Sequence, residues 1–261
     1  MSLSQSWVHT TNYLSNTKLI AQPITFKGLR TQYYFTAWCW NLLGVSFFLN
    51  GIIPIIISYG FLSNSTKNLE NQTHQYDDNN LIFWLVYLAT ITFEATAPMA
   101  MLVSTVIKYA IWPKLLHSGG PEKTTQLKTF TNLMEHNANV ILVFLEMCYI
   151  GNLSIQISHI SVSFLLGIIY VLFSYFMASR WIPSEIEKED KKKNTVQYLY
   201  FFLDTTLGMT TSKMLLVLYV IMMMFYTFLW AISIFVVDFD NFWIRLCMFL
   251  FLCYVFCRFR D

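Results

Sequence analysis

The sequence predicts an all-α, polytopic membrane protein with about six transmembrane helices. Three observations lead there. Of 261 residues, 56% are hydrophobic and 18% aromatic, while only 12% are charged. A water-soluble domain carries about 25% charged residues, so this chain lacks the polar surface to face water all round. Its apolar residues also come in runs near the roughly 20 residues that a spanning helix needs. Lysine and arginine, finally, fall between those runs and almost all on one side.

The elements follow in order. Residues 1–33 form a polar N-terminal segment, without the apolar core of a signal peptide. A single transmembrane domain then fills 34–259. Its first span is expected from Tyr34 to Tyr59, followed by the polar loop LSNSTKNLENQTHQYDDNN. The second runs from Leu81 to Lys108, with a kink at Pro98. The third and fourth, Phe130–Gly151 and His159–Trp181, are joined by a short hairpin. After the charged stretch SEIEKEDKKKN come Met214–Val237 and Phe242–Phe259. The segment Gln197–Gly208 is apolar but too short to cross, and is expected at the interface or re-entering partway, its tyrosines at headgroup level.

With both termini on the cytosolic (or matrix) side, Lys18, Lys27, Arg30, Lys108, Lys114, Lys123, Lys128, Arg180, Lys188, Lys191, Lys192, Lys193, Lys213, Arg258 and Arg260 all lie inside. Lys67 lies outside, and Arg245 sits just within the last span. This asymmetry follows the positive-inside rule. It also puts Asn64 and Asn71, each in an Asn-X-Ser/Thr triplet, in the external loop where glycosylation occurs; Asn152, in a tight hairpin, is a poorer acceptor.

The net charge of +2 argues against a nucleic-acid partner. The five cysteines lie in apolar stretches with no metal-site spacing to histidines, so no metal and no cofactor is expected. Membrane lipids are the expected partners.

Ionisable groups inside a span are costly and mark function or pairing. Glu94 falls near the middle of the second span, His136 about two turns into the third, and Glu146 about 15 Å deeper. His159 opens the fourth span and Arg245 the external end of the sixth. Depth alone suggests that Glu146 pairs with His159 across the hairpin. On the cytosolic side, Thr36, His136, Asp204 and Tyr198 share one leaflet. A hydroxyl, an imidazole and a carboxylate are the parts of an activated nucleophile. A capping threonine and a packed core histidine are the plainer readings of the same residues.

Three local patterns stand in a telling order: Phe35-Thr36-Ala37 opening an apolar helix, Ile111-Trp-Pro-Lys-Leu-Leu116 ahead of Met134-Glu-His136-Asn137, and Tyr198-Leu-Tyr-Phe-Phe-Leu-Asp204 with Gly208. From Thr31 to about Trp230 the chain resembles the androgen-induced and androgen-dependent membrane proteins. The resemblance implies a six-span hydrolase of fatty acid esters of hydroxy fatty acids, with Thr36 as nucleophile and His136 as base. Asp204, Tyr198 and Asn137 would then support the site or bind substrate. Asn137 stands where those enzymes carry threonine, and a polar segment replaces their first apolar helix. The stretch from His136 to Arg180, with Glu146, Gly167 and Tyr170, is also similar to the rolling-stone-like membrane proteins, a group linked to cell fusion. The family implies the endoplasmic reticulum or plasma membrane; the start of the chain, free of acids before Glu70, points instead to the mitochondrial inner membrane. A non-enzymatic accessory subunit of a membrane complex is the competing expectation.

Overall fold

The computed structural model describes residues 6–9, 24–66, 74–125, 127–150, 153–178, 180, 198–238 and 241–259. Its helices are α1 (Phe35–Thr66), α2 (His74–Val106), α3 (Trp112–Lys123), α4 (Phe130–Leu133), α5 (Asn139–Leu145), α6 (Ile160–Ala178), α7 (Met209–Asp238) and α8 (Phe242–Phe256). Among the described residues, four stretches are long and apolar enough to cross a membrane: Phe35–Tyr59, Leu81–His117, Ile157–Ala178 and Met209–Val236. This is an all-α membrane protein. α8 is apolar but shorter, at 15 residues. The expected third span is helical from Phe130 to Ile150, broken by π turns at Met134–Ala138 and Glu146–Ile150.

Large apolar side chains such as Phe48, Trp84, Leu172, Phe235 and Tyr254 stand exposed on these helices. In water such surface would be a liability, but in lipid it is the proper exterior.

Several boundaries differ from expectation, each for a physical reason. α1 runs on to Thr66 and α2 starts at His74, inside the stretch expected as loop. Hydropathy locates where the chain meets hydrocarbon, whereas a helix continues into water until something stops it. Asn64 thus lies in the last turns of α1, while Asn71, Asn152 and the charged stretch 184–194 lie outside the described residues.

The second span likewise does not stop at Lys108. The chain widens into a π turn at Ile107–Ile111 and continues as α3. Pro113 explains this, because it has no N–H for the carbonyl four residues back and its ring crowds that position, Tyr109. One wide turn absorbs the mismatch, and the Trp112 N–H bonds to the Ile107 carbonyl.

The polar N-terminal segment contains a short antiparallel ribbon, Ser6–His9 (β1) against Ile24–Lys27 (β2), with Ser6 opposite Lys27 and His9 opposite Ile24. Trp7, Val8, Ile24, Thr25 and Phe26 are aromatic or β-branched, the types that suit a pleated strand.

The chain divides into two compact units, 1–38 with 164–223, and 39–163 with 224–261. In the first, Leu199 is buried beside Tyr33, Tyr34, Met177 and Tyr200. Leu203, Tyr198 and Ala178 pack with Val171, Tyr175 and Leu215. In the second, the core is built from Phe93, Ala97, Ala100, Met101, Val143, Phe144, Tyr226, Leu229 and Leu252, among others. Every residue of α2 from Phe93 to Ser104 is buried. Small residues at Ala89, Ala97 and Ala100 allow neighbouring backbones to come close, which is how helices pack in lipid.

Candidate functional site

In the first unit, Thr36 lies half-buried in the first turn of α1. Aromatic rings surround that turn. Phe35 and Tyr170 have centroids 4.8 Å apart, Trp38 and Tyr170 5.2 Å, and Trp38 and Phe173 5.0 Å. The first N–H groups of a helix have no partner of their own, and Phe35 N–H donates to the Tyr200 hydroxyl at 3.3 Å. Tyr170 in turn donates to the Tyr33 carbonyl at 2.8 Å. Tyrosines therefore fix the backbone that carries Thr36.

The segment expected to be interfacial is two short 3₁₀ turns, Phe201–Leu203 and Thr205–Leu207, flanking a fully buried Asp204. Tyr198 shares a 2.7 Å hydrogen bond with Thr205, and the Asp204 carbonyl accepts from the Thr211 hydroxyl. Gly208, with φ of 55°, makes the left-handed step into α7 that a side chain would resist. Here Tyr198 and Asp204 hold a tight bend together.

In the second unit, His136 sits within the π turn Met134–Ala138, and its Nδ1 is buried with no hydrogen-bond partner among the described residues. Its neighbour Asn137 is fully engaged. The Asn137 amide donates to the Arg258 carbonyl at 2.8 Å and accepts from the Arg258 N–H at 2.9 Å. That clamp is one part of a larger cradle. The carbonyls at the end of α8 have no helical donors, and side chains supply them. Lys108 Nζ donates to the Tyr254 and Val255 carbonyls at 2.5 and 2.6 Å, Tyr109 to Val255 at 2.6 Å, and Ser104 to Phe256 at 2.6 Å. A cation there also suits the negative end of the helix dipole.

The third cluster gathers on Glu94. Depth along the sequence paired His159 with Glu146, but the structure pairs it with Glu94, whose Oε2 lies 2.7 Å from His159 Nδ1. Glu94 Oε1 accepts from the Gln156 backbone N–H at 2.5 Å. Glu146 Oε1 instead accepts from the Leu153 N–H at 2.9 Å. Two buried carboxylates thus satisfy the donors of a connection whose Leu153 and Ile155 are themselves buried. Buried backbone in a membrane protein must be satisfied by protein. Tyr226 completes the set, donating to the Gln156 carbonyl at 2.7 Å.

Sequence reasoning missed Gln156, Ser163 and Tyr226, although one signal was present. Pro98 stands four residues after Glu94, so the Glu94 carbonyl has no helical donor. Ser163 provides it, with its hydroxyl 2.7 Å from that carbonyl and 3.2 Å from Ala95's. Arg245 reaches back to the Val236 carbonyl at 3.4 Å, near the end of α7. Among the described residues, no group of three or more His, Cys, Asp and Glu is placed to hold a metal ion.

Compared with known proteins, the chain matches no family model, no curated protein and no solved structure.

Proposed function

We propose that the protein is an intramembrane hydrolase of lipid esters, with Thr36 as nucleophile and His136 as base. Fatty acid esters of hydroxy fatty acids are the substrate class that the family resemblance implies. The observation that carries the reading is the His136 ring nitrogen, buried and bonded to nothing among the described residues. A buried imidazole nitrogen ordinarily finds a partner, and one left over is available to take a proton. The Asn137–Arg258 clamp holds the turn that carries it.

The chemistry balances without a cofactor. Thr36 Oγ bonds to the ester carbonyl carbon while its proton passes to His136. Collapse of the tetrahedral adduct breaks the ester C–O bond, and the leaving alcohol takes the proton back. Water, deprotonated by the same histidine, then attacks the acyl-threonine; the acyl C–Oγ bond breaks, the histidine returns the proton to Thr36 Oγ, and the fatty acid is released. In this reading both termini face the cytosol and the protein resides in the endoplasmic reticulum or plasma membrane.

Fluorophosphonate labelling of the purified protein in detergent, beside Thr36→Ala and His136→Ala, tests this. Labelling of the wild type that both substitutions abolish is the expected result. A folded wild type that takes no label would sink the proposal.

The aromatic packing around the first turn of α1 favours a second reading, a non-enzymatic accessory subunit of a membrane complex. It predicts no labelling, together with a co-purifying membrane protein in gently solubilised native membranes.

A further inference from the structure

We infer that the Glu94–His159 pair is an acid-operated latch on the connection Leu153–His159, which is anchored by the buried Leu153 and Ile155. The inference is independent of the hydrolase reading.

At one end of the connection, Leu153 N–H is held by Glu146. At the other end, Glu94 holds two things with its two oxygens, the Gln156 N–H and the His159 ring. The Glu94 side chain is fully buried, while that of His159 is 27% exposed, so protons reach the pair through the histidine.

Consider the protonation states in turn. With a carboxylate and a neutral imidazole, the tautomer bearing hydrogen on Nδ1 donates to Oε2, and Oε1 accepts from Gln156. With a carboxylate and an imidazolium, the same two bonds persist and gain charge. With a protonated carboxyl and a neutral imidazole, Oε2–H donates to Nδ1, and again both bonds form. Only the doubly protonated pair fails. The imidazolium and the Gln156 N–H are then both donors, and the carboxyl has one oxygen left that can only accept. Whichever oxygen carries the hydrogen, the donor facing it is left with a hydroxyl oxygen that accepts only weakly, so one of the two bonds is weakened at a fully buried carboxyl. That costs more in a dry interior than in water.

The groups around the pair do not rescue it. The Tyr87 ring lies edge-on to His159 with centroids 6.4 Å apart, and offers a face rather than an acceptor atom. Tyr226 already donates to Gln156. Ser163 donates to the Glu94 backbone carbonyl. Glu146, protonated or not, keeps an oxygen for Leu153, so that end holds while the Gln156–His159 end is released. The first proton leaves both bonds in place and the second weakens one, so a pair facing the expected external side senses an acidic compartment.

The test is pulsed hydrogen–deuterium exchange on the full-length protein in nanodiscs, from pH about 8 down to about 5. Exchange of residues 153–159 is read against an α7 peptide, which removes the intrinsic pH effect on amide exchange. In the wild type, relative protection of that segment should fall in acid, at up to about tenfold per pH unit for each proton taken up. His159→Gln keeps a group that donates or accepts as needed, so its segment should remain protected throughout. Glu94→Gln loses the carboxylate's tolerance. A single proton on His159 then opposes the amide, so this segment should open at a higher pH than in the wild type. A wild-type segment that stays protected to the lowest pH overturns the inference. So does equal opening in His159→Gln, or a Glu94→Gln midpoint below that of the wild type.

Discussion

Two regions of the second unit solve one problem with opposite chemistry, and both draw side chains from α2 or the π turn that follows it and from the third span. At Glu94 the exposed backbone groups are N–H donors of the connection 153–159, and acceptors meet them. At Ser104–Tyr109 they are carbonyls at the end of α8, and donors meet them. Both sets are met by protein side chains. The difference lies in what can change. Ser104, Tyr109, Asn137 and Lys108 all donate to backbone carbonyls, which take up no protons. The Glu94–His159 pair shares protons. One region is a fixed joint and the other is conditional, though both are built by the same rule.

Substitutions at Glu94, Asn137 and Ser163 sharpen that contrast, from the largest expected effect to the smallest. Glu94→Ala strands the Gln156 N–H and the His159 ring together and empties a fully buried site, and should destabilise the protein by about 3 kcal/mol, since an unpaired group costs roughly 1–3 kcal/mol and a void adds to it. Thermal unfolding in detergent measures it. A cost no larger than that of a surface substitution would show that the connection finds other partners.

Asn137→Ala removes both bonds to Arg258 and should cost about 2 kcal/mol. Asn137→Asp separates the clamp's two halves. It still accepts from the Arg258 N–H but turns an acceptor toward the Arg258 carbonyl, so it should be at least as damaging as alanine. If aspartate rescues the alanine loss, the donor half of the clamp carries no weight.

Ser163→Ala leaves the Glu94 carbonyl without a donor and should cost about 1 kcal/mol. In a Pro98→Ala background, residue 98 regains the N–H that serves this carbonyl, and the cost of losing Ser163 should shrink by about half or more. Equal costs in both backgrounds would mean that the serine does not compensate for the proline.

Much of this architecture was legible beforehand, and the reasons are particular. The spans at Phe35–Tyr59 and Ile157–Ala178 follow from apolar length, a local property that needs no knowledge of neighbours. Glu94 could be singled out because a carboxylate in an apolar run is conspicuous. Its partner could not. Glu146 and His159 are 13 positions apart at similar expected depth, whereas Glu94 and His159 are 65 apart, and which helix faces faced which was unknown. Asn137 drew interest as a group beside His136, but its role belongs to Arg258, 121 residues away.

The sequence by itself determined that this is a helical membrane protein, where most of its apolar helices lie, and which polar residues are out of place there. Those conclusions depend on the free energy of transferring a stretch of chain into hydrocarbon, which sums over neighbours along the chain. Only the tertiary structure decided how each misplaced polar group is satisfied, and that a short β-ribbon precedes the first helix. Hydrogen bonds are short and directional, so their pairing depends on side chains brought within 3 Å by packing, and no run of neighbouring residues encodes that.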